Sequence, residues 1–268
     1  MNAQLPFADL RQLDLSFARR GGRTVFDRRL FSWPYVLART FAGDPALPHL
    51  QSVMLQSSGG PIHGSDRLLQ RFHVGTNAAV HATTQGATAV HRADPGVTTS
   101  ETIELSLAAG AWLEYLPQPR ILFPDADMRT AIEIDMAPDA TAFVADAFTV
   151  HDPEQRDRLF RRMTSTVAVR QGGELLLVDR ADITGDPRHF ARHRAFGSLL
   201  LLAPRPAETL QSWALDLSAE LAGHPGLYAA ASVLPSGIGI GARFAATELR
   251  HLRTGTDRAH ALLRTKLL

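Results

Sequence analysis

Histidine, carboxylate and amide side chains are the groups in this chain that could hold a metal ion. The sequence contains 11 histidines and no cysteine, so a metal site would use imidazole and oxygen ligands, which suit Ni²⁺ and Zn²⁺. Four of the histidines fall within one third of the chain: His63, His73, His81 and His91. No two of these four have the helical i,i+4 spacing typical of a preformed zinc site. The pattern therefore favours a weak, transient ligand over a closed metal cage.

A glycine-rich turn carries the first carboxylate of interest. Residues 58–68 read SGGPIHGSDRL, and glycine allows backbone conformations that bring amides or a side chain close to a neighbour. The turn is not a phosphate loop, because the Gly-x-x-x-x-Gly-Lys pattern is absent. Two interpretations stay open. Either Asp66 accepts hydrogen bonds from turn amides in an ordinary strand connection, or the turn presents Asp66, with His63 as a candidate metal ligand.

Two further segments place polar side chains in or beside predicted strands. In residues 81–85 (HATTQ) the alternation of a strand puts Thr84 and Gln85 on opposite faces. Glu114 lies in residues 113–119 (LEYLPQP), where the prolines end strand pairing. We therefore interpret Glu114 either as a carboxylate presented at the rim of a sheet or as a residue on a solvated edge.

Enzymatic and nucleic-acid functions have little support in the sequence. The absence of cysteine excludes a thiolate nucleophile, and the Gly-x-Ser-x-Gly elbow is missing. Asp125 and Asp127 lie in a proline-flanked loop and are more typical of turn residues than of an acid–base pair. Lys+Arg 28 against Asp+Glu 27 gives a net charge of +1, which is not the electrostatic pattern of a nucleic-acid-binding or lipid-binding surface. We predict no enzyme activity, no nucleic-acid partner and no membrane partner.

The elements that must position these groups are mostly short strands. Alternating or β-branched segments bounded by Gly, Pro or Asp recur along the chain, which favours a sandwich, a barrel or stacked sheets. The predicted strands are 12–18, 23–30, 51–56, 67–73, 78–84, 98–107, 111–115, 129–135, 141–149, 163–170, 174–179, 197–203, 227–234 and 237–244. Strands 67–73 and 78–84 are expected to pair across a short turn. No fixed-period repeat is present, so a regular solenoid is not indicated.

Two helices are predicted near the C-terminus. The first spans 206–222, with Pro206 in its first turn and Gly223 after its end, and the second spans about 247–264. Because strands flank the first helix, we predict a single β-rich domain over 1–268, with two C-terminal helices. No secretory signal pattern and no membrane-spanning apolar run is present, so a cytoplasmic location is expected.

Three of these segments, taken in order, resemble the UreD family of urease accessory proteins, called UreH in some organisms. The matching residues are Gly59, Gly60, Gly64 and Asp66 in the turn, Thr83, Thr84, Gln85 and Arg92 in and after the Thr-Thr-Gln tract, and Glu114 in the Leu-Glu-x-Leu-Pro segment. The chain departs from the family pattern in that its glycine-rich turn is about one residue longer, and at three individual positions. Ser65 stands where a second glycine is usual, and Ala89 and His91 stand where Lys and Tyr are expected.

The resemblance implies a stacked-sheet scaffold without catalytic turnover that assists nickel insertion into apo-urease. The implied partners are accessory proteins F and G and apo-urease, with nickel in transit and no tightly bound cofactor. The expected polar path is lined by Asp66, Thr84, Gln85, Arg92 and Glu114. Partner binding is expected at exposed apolar positions of the C-terminal segment: Phe244, Leu249 and Leu252. The alternatives are a UreD-like paralogue that serves another metalloenzyme, and a β-rich enzyme or small-ligand-binding protein.

Overall fold

Strands dominate the fold, as predicted. The computed structural model describes residues 12–37, 40–154 and 156–268. The strands are β1 (Leu13–Arg20), β2 (Arg23–Phe31), β3 (Tyr35–Leu37), β4 (Phe41–Ala42), β5 (Gln51–Ser57), β6 (Arg67–Val74), β7 (Ala79–Thr84), β8 (Thr88–Val90), β9 (Thr99–Leu107), β10 (Trp112–Tyr115), β11 (Arg120–Leu122), β12 (Asp127–Met136), β13 (Thr141–Val150), β14 (Arg162–Gln171), β15 (Glu174–Thr184), β16 (Ala195–Leu202), β17 (Leu227–Val233) and β18 (Gly239–Ala246). The helices are α1 (Ala207–Leu221) and α2 (Leu249–Leu267). The mainly β fold with two late helices is therefore confirmed.

Two sheets face each other across the main hydrophobic core. Sheet A has seven strands in the order β15-β14-β12-β9-β6-β1-β2. Sheet B has eleven strands, eight of them in the order β17-β18-β16-β13-β10-β7-β5-β3, and the short β4, β8 and β11 attach to it. Buried and less buried residues alternate strictly along β9, because one face of that strand meets the core and the other does not. Large buried side chains from both sheets, including Phe72 of β6 and Tyr115 of β10, meet in this core.

The centre of the molecule is a stack of parallel strands. In sheet A, β6, β9, β12 and β14 pair in parallel, and in sheet B, β5, β7, β10 and β13 do so. The chain crosses from one sheet to the other at each corner, so successive coils stack as in a β-solenoid. The corners also bond to one another: Asn77 N donates to Ala109 O at 3.0 Å.

The predicted pairing of 67–73 with 78–84 is wrong. The corner at Gly75–Asn77 places β6 in sheet A and β7 in sheet B, so the two strands pair with other neighbours. The solenoid-like stacking was not predicted either, because the coils have unequal lengths and leave no fixed period in the sequence. The antiparallel hairpin of β14 and β15, with Gly172 and Gly173 at its turn, agrees with the predicted strands 163–170 and 174–179.

The two helices cover the outer face of sheet B and form a second core. The buried side of α1 includes Leu210 and Leu217, and the buried side of α2 includes Leu252 and Leu263. These side chains pack against residues of β16 and β18. Sheet B is therefore buried on both faces, which explains the unbroken apolar run at residues 199–203. Neither helix of the described residues has the length and hydropathy that a membrane-spanning segment requires.

This second core corrects the expected partner surface. Phe244 is only 4% exposed and Leu252 is 0% exposed, because α1 and α2 fold back onto sheet B. Leu249 is partly buried and packs against the same cluster. These apolar positions are core residues of the protein, not a free surface.

Candidate functional site

A cavity of about 420 Å³ lies between the two sheets, where β5 and β7 end and β6 and β9 begin. Residues of both sheets and of the glycine-rich turn line it. Five of the lining residues that carry polar groups are buried: Tyr35, Gln70, Glu101, Tyr115 and Arg120. The parallel stacking of the coils creates this arrangement, because it brings the same ends of successive strands together.

The structure brings three of the predicted path residues together at this cavity. Asp66, Thr84 and Gln85 all line it, the first two partly buried and Gln85 exposed. Asp66 Oδ2 accepts a hydrogen bond from the backbone N of His63 at 2.9 Å. The turn-amide interpretation of Asp66 is therefore correct, and Asp66 is also one of the residues that line the cavity. Thr84 Oγ1 accepts from the backbone N of Gln118 at 2.9 Å.

Glu101 forms the centre of a buried polar cluster that the sequence analysis missed. Gln70 Nε2 donates to Glu101 Oε1 at 2.7 Å and to Tyr35 Oη at 2.9 Å. Burial, with the nearby Glu101 charge, raises the pKa of Tyr35 well above its ordinary value, so its hydroxyl stays protonated. Gln70 Oε1 is buried and has no hydrogen-bond partner among the described residues. The cavity thus adjoins a carboxylate and an unpaired amide oxygen.

Arg120 connects this cluster to a second cavity. Its Nε and Nη2 donate to Glu101 Oε2 at 3.0 and 2.5 Å, and its Nη1 donates to Asp146 Oδ1 at 2.6 Å. Asp146 in turn accepts from Ser165 Oγ at 2.5 Å. Asp146 and Ser165 line a cavity of about 170 Å³ elsewhere between the sheets. A continuous series of hydrogen-bonded polar groups therefore joins the two cavities.

The charge of this junction is fixed. Burial by itself would lower the pKa of Arg120, but Glu101 and Asp146 raise it above its ordinary value, so the guanidinium stays charged. Two carboxylates, Glu101 and Asp146, therefore face one guanidinium at this junction.

The expectation that Glu114 lies at a sheet rim or on a solvated edge is wrong. Glu114 is 2% exposed and lies on the opposite face of sheet B from the cavity. Leu113 and Tyr115 face the main core, so the alternation of β10 turns Glu114 towards α2. Arg92 does not line the cavity either, and its side chain is exposed. The predicted polar path therefore holds together for Asp66, Thr84 and Gln85 only.

Glu114 instead anchors α2 to sheet B. It accepts hydrogen bonds from His81 Nδ1 at 2.8 Å, Trp112 Nε1 at 2.9 Å and Arg264 Nε at 2.7 Å, and His260 Nε2 lies 3.5 Å from it. Burial alone would raise the pKa of Glu114, but the nearby His260 and the hydrogen bonds from His81 and Arg264 hold it well below its ordinary value. This carboxylate is therefore ionised and structural.

The missed residues had a signal in the sequence. Glu101 stands two residues before Ile103 and four before Leu105, so the strand alternation puts it on the buried face of β9. Gln70 stands between Leu68 and Phe72 in β6 and follows the same rule. A polar residue in register with core positions requires a buried partner, and that requirement identifies both.

A preformed metal cage is not visible here. The described residues contain no group of three or more His, Cys, Asp or Glu side chains that could hold a metal ion.

The structure is thus a β-scaffold with a cavity between its sheets, into whose lining a few buried polar side chains are set. The family model described as UreD urease accessory protein matches residues 11–268. Urease accessory protein UreD 2 of Bradyrhizobium sp. (strain BTAi1 / ATCC BAA-1182) is 54% identical over 258 residues, which cover 94% of this chain and 89% of that protein. The UreD 2 protein of Bradyrhizobium sp. (strain ORS 278) is 51% identical over 259 residues, covering 96% and 90%. Urease accessory protein UreD of Mycolicibacterium smegmatis (strain ATCC 700084 / mc(2)155) is 35% identical over 252 residues, covering 93% and 89%.

The chain belongs to the UreD family of urease accessory proteins. The resemblance inferred from the glycine-rich turn, the Thr-Thr-Gln tract and the Leu-Glu-x-Leu-Pro segment is confirmed. The protein is accordingly an accessory protein with a role in urease maturation, and it is not an enzyme.

Proposed function

We propose that this protein is a cytoplasmic scaffold that assists nickel insertion into apo-urease together with accessory proteins F and G. In this proposal nickel is a cargo that crosses the protein between sheets A and B. The observation that carries the proposal is the buried carboxylate of Glu101 at the cavity, hydrogen-bonded to Gln70, whose Oε1 has no partner among the described residues.

The cavity offers the ligand chemistry that a transient divalent cation needs. Asp66, Thr84, Gln85 and Glu101 supply oxygen atoms from both sheets and from the turn. Oxygen ligands hold Ni²⁺ less tightly than a set of thiolates or imidazoles would hold it. A cation carrier must also release its cargo, and a site with few protein ligands serves that requirement.

Arg120 sets how strongly the inner part of this route attracts a cation. Its guanidinium compensates one of the two carboxylates that it bridges. Arg120 therefore weakens the attraction that these carboxylates exert on a dication, and its own positive charge opposes close approach of the ion. The route from the larger cavity to the smaller one follows the groups that Arg120 joins.

The test is co-expression of urease with variants of this chain, followed by measurement of the nickel content and activity of the purified urease. Asp66→Ala and Glu101→Gln each remove a carboxylate of the cavity, and we expect several-fold less nickel in urease. Glu133→Gln makes the same chemical change at an exposed position of β12 in sheet A, and it should leave nickel loading unchanged.

Folding is controlled separately in this test. Glu101→Gln leaves the buried Arg120 with one carboxylate partner, which can destabilise the fold. The stability of the Glu101→Gln variant is therefore measured by chemical denaturation. Asp66→Ala removes only a turn hydrogen bond, with an expected cost of about 1 kcal/mol. Normal nickel loading by a folded Asp66→Ala variant would remove Asp66 from the mechanism, and normal loading by both variants would overturn the proposed route.

A further inference from the structure

We infer that His63 and His91 form a two-imidazole binding site for a divalent metal ion at the protein surface, beside the cavity. This inference deepens the proposed function, because it names where the cation first binds. It can be measured on the purified protein without urease, so it can fail separately from that function.

The backbone places these two histidines side by side. Ile62 and Val90 form a parallel bridge, in which Ile62 N donates to Ala89 O at 2.8 Å and His91 N donates to Ile62 O at 2.9 Å. His63 and His91 each follow a member of this bridge. Ile62 and Val90 are 6% and 0% exposed, so the alternation of side chains turns both imidazoles outward.

The ring separation fits two imidazoles on one metal ion. The ring centroids of His63 and His91 are 5.1 Å apart and the ring planes are inclined by 55°. A metal–nitrogen bond of about 2.1 Å puts the ion about 3.2 Å from each ring centroid. Tetrahedral ligands would then have centroids about 5.2 Å apart, and adjacent octahedral ligands about 4.5 Å. The observed separation lies within this interval.

The two rings differ in how firmly they are held. The His91 ring is stacked on Phe123, with ring centroids 4.7 Å apart. Phe123 also makes an edge contact with the ring of His151, at a centroid distance of 4.6 Å. His63 is exposed in the glycine-rich turn. One imidazole is therefore oriented in advance and the other can adjust to the ion, while water fills the open coordination positions.

The site is linked to the cavity by Asp66. The carboxylate that lines the cavity accepts the hydrogen bond of the His63 backbone N–H. An ion released by the two imidazoles would meet this carboxylate next. Since only two protein side chains hold the ion, its affinity is moderate, which suits a site that passes its ligand on.

The test is calorimetric titration of the purified full-length protein with NiCl₂ at neutral pH. Each of His63→Ala and His91→Phe should weaken binding at this site at least tenfold, and the double variant should lose one Ni²⁺ per chain. His91→Phe keeps an aromatic ring against Phe123, so packing is preserved while the ligand is removed. His189→Ala, at an exposed histidine of the short 3-10 helix Pro187–His189, is the matched control and should bind like the wild type.

A second measurement identifies the ligands directly. Paramagnetic Ni²⁺ should broaden the ring proton signals of His63 and His91 before those of the other histidines. Binding that is unchanged in the double variant, or broadening that spares both rings, would overturn the inference. Loss of Ni²⁺ binding with normal urease loading in co-expressing cells would leave the site established and would count against its place in nickel delivery.

Discussion

Two buried glutamates show how differently one residue type is used in this protein. Glu101 faces the gap between the sheets and lines the cavity, whereas Glu114 faces the helices and is surrounded by donors. Both occupy short strands in the central stack. The two carboxylates are chemically the same, so only their environments distinguish the candidate functional group, Glu101, from the structural one, Glu114.

Glu114→Gln should destabilise the protein in a pH-dependent way. The pKa of Glu114 is lower in the folded protein than its ordinary value of 4.5, so its stabilising contribution is complete above about pH 4.5 and is lost as the pH falls further towards the folded pKa. Removing one partner of a buried ion pair costs roughly 3 kcal/mol. We therefore expect a loss of that size in the free energy of unfolding at pH 7 and a smaller difference from wild type at pH 3.5.

Chemical denaturation at several pH values checks this prediction, with Glu133→Gln as the exposed control. A difference between Glu114→Gln and wild type that stays the same from pH 7 to pH 3.5 would contradict the ionised, hydrogen-bonded state of Glu114.

At the scale of elements, the glycine-rich turn between β5 and β6 depends on close packing. A Cβ atom at Gly64 would lie 2.4 Å from Ala93 Cα and 2.8 Å from Arg92 O. The turn therefore presses directly on the backbone that follows His91. This contact positions Asp66 at the cavity and holds His63 beside His91, so one glycine serves both candidate sites.

Gly64→Ala should displace the turn. The Cβ of the new alanine would clash with backbone atoms that cannot move independently. We therefore expect the free energy of unfolding to fall by at least 2 kcal/mol, which is a large effect for a single substitution. Gly86→Ala is the matched control, since a Cβ at Gly86 has no neighbour within 4 Å, although Gly86 lines the same cavity. Equal stability of the two variants, measured by denaturant unfolding, would show that the turn has room to adapt.

At the scale of the whole molecule, the C-terminal helices complete the fold. They pack against the outer face of sheet B. Arg264 and His260 of α2 lie next to Glu114, which points towards the helices from β10. Removal of the chain from residue 243 onward would expose this core, so such a truncation reports on folding and not on partner binding. Several of the exposed large apolar side chains lie instead at Leu30, Phe31, Trp33 and Val36, where the chain passes from the edge of sheet A to the edge of sheet B.

Leu252→Ala distinguishes a core residue from a partner contact. Deletion of this fully buried side chain should lower the free energy of unfolding by about 2–5 kcal/mol. Folded protein should still co-purify with its urease partners. Leu215→Ala, at a position of α1 that is 62% exposed, should change stability little. A stable Leu252→Ala variant that no longer binds partners would restore the partner-surface interpretation.

Much of the secondary structure could be predicted from the sequence. The strands follow from alternation along the chain, as in β9 and β12, and α1 follows from its proline start and leucine spacing, because these signals involve residues only a few positions apart. The family resemblance rests on short contiguous segments and could be recognised for the same reason. The separation of β6 and β7 into different sheets could not be predicted, because the four-residue corner 75–78 is compatible with reversal in one sheet or with passage to the other.

The sequence by itself determined the strand-rich character, the two late helices, the family and the group formed by Asp66, Thr84 and Gln85. Only the tertiary structure decided that Glu101 belongs with that group, that Glu114 does not, and that His63 and His91 are neighbours. The physical reason is that alternation states which residues share a face of a strand, whereas the identity of the layer covering that face depends on segments far away in the chain. Arg120 and Arg264, which come from other segments of the chain, then pair with Glu101 and Glu114 respectively.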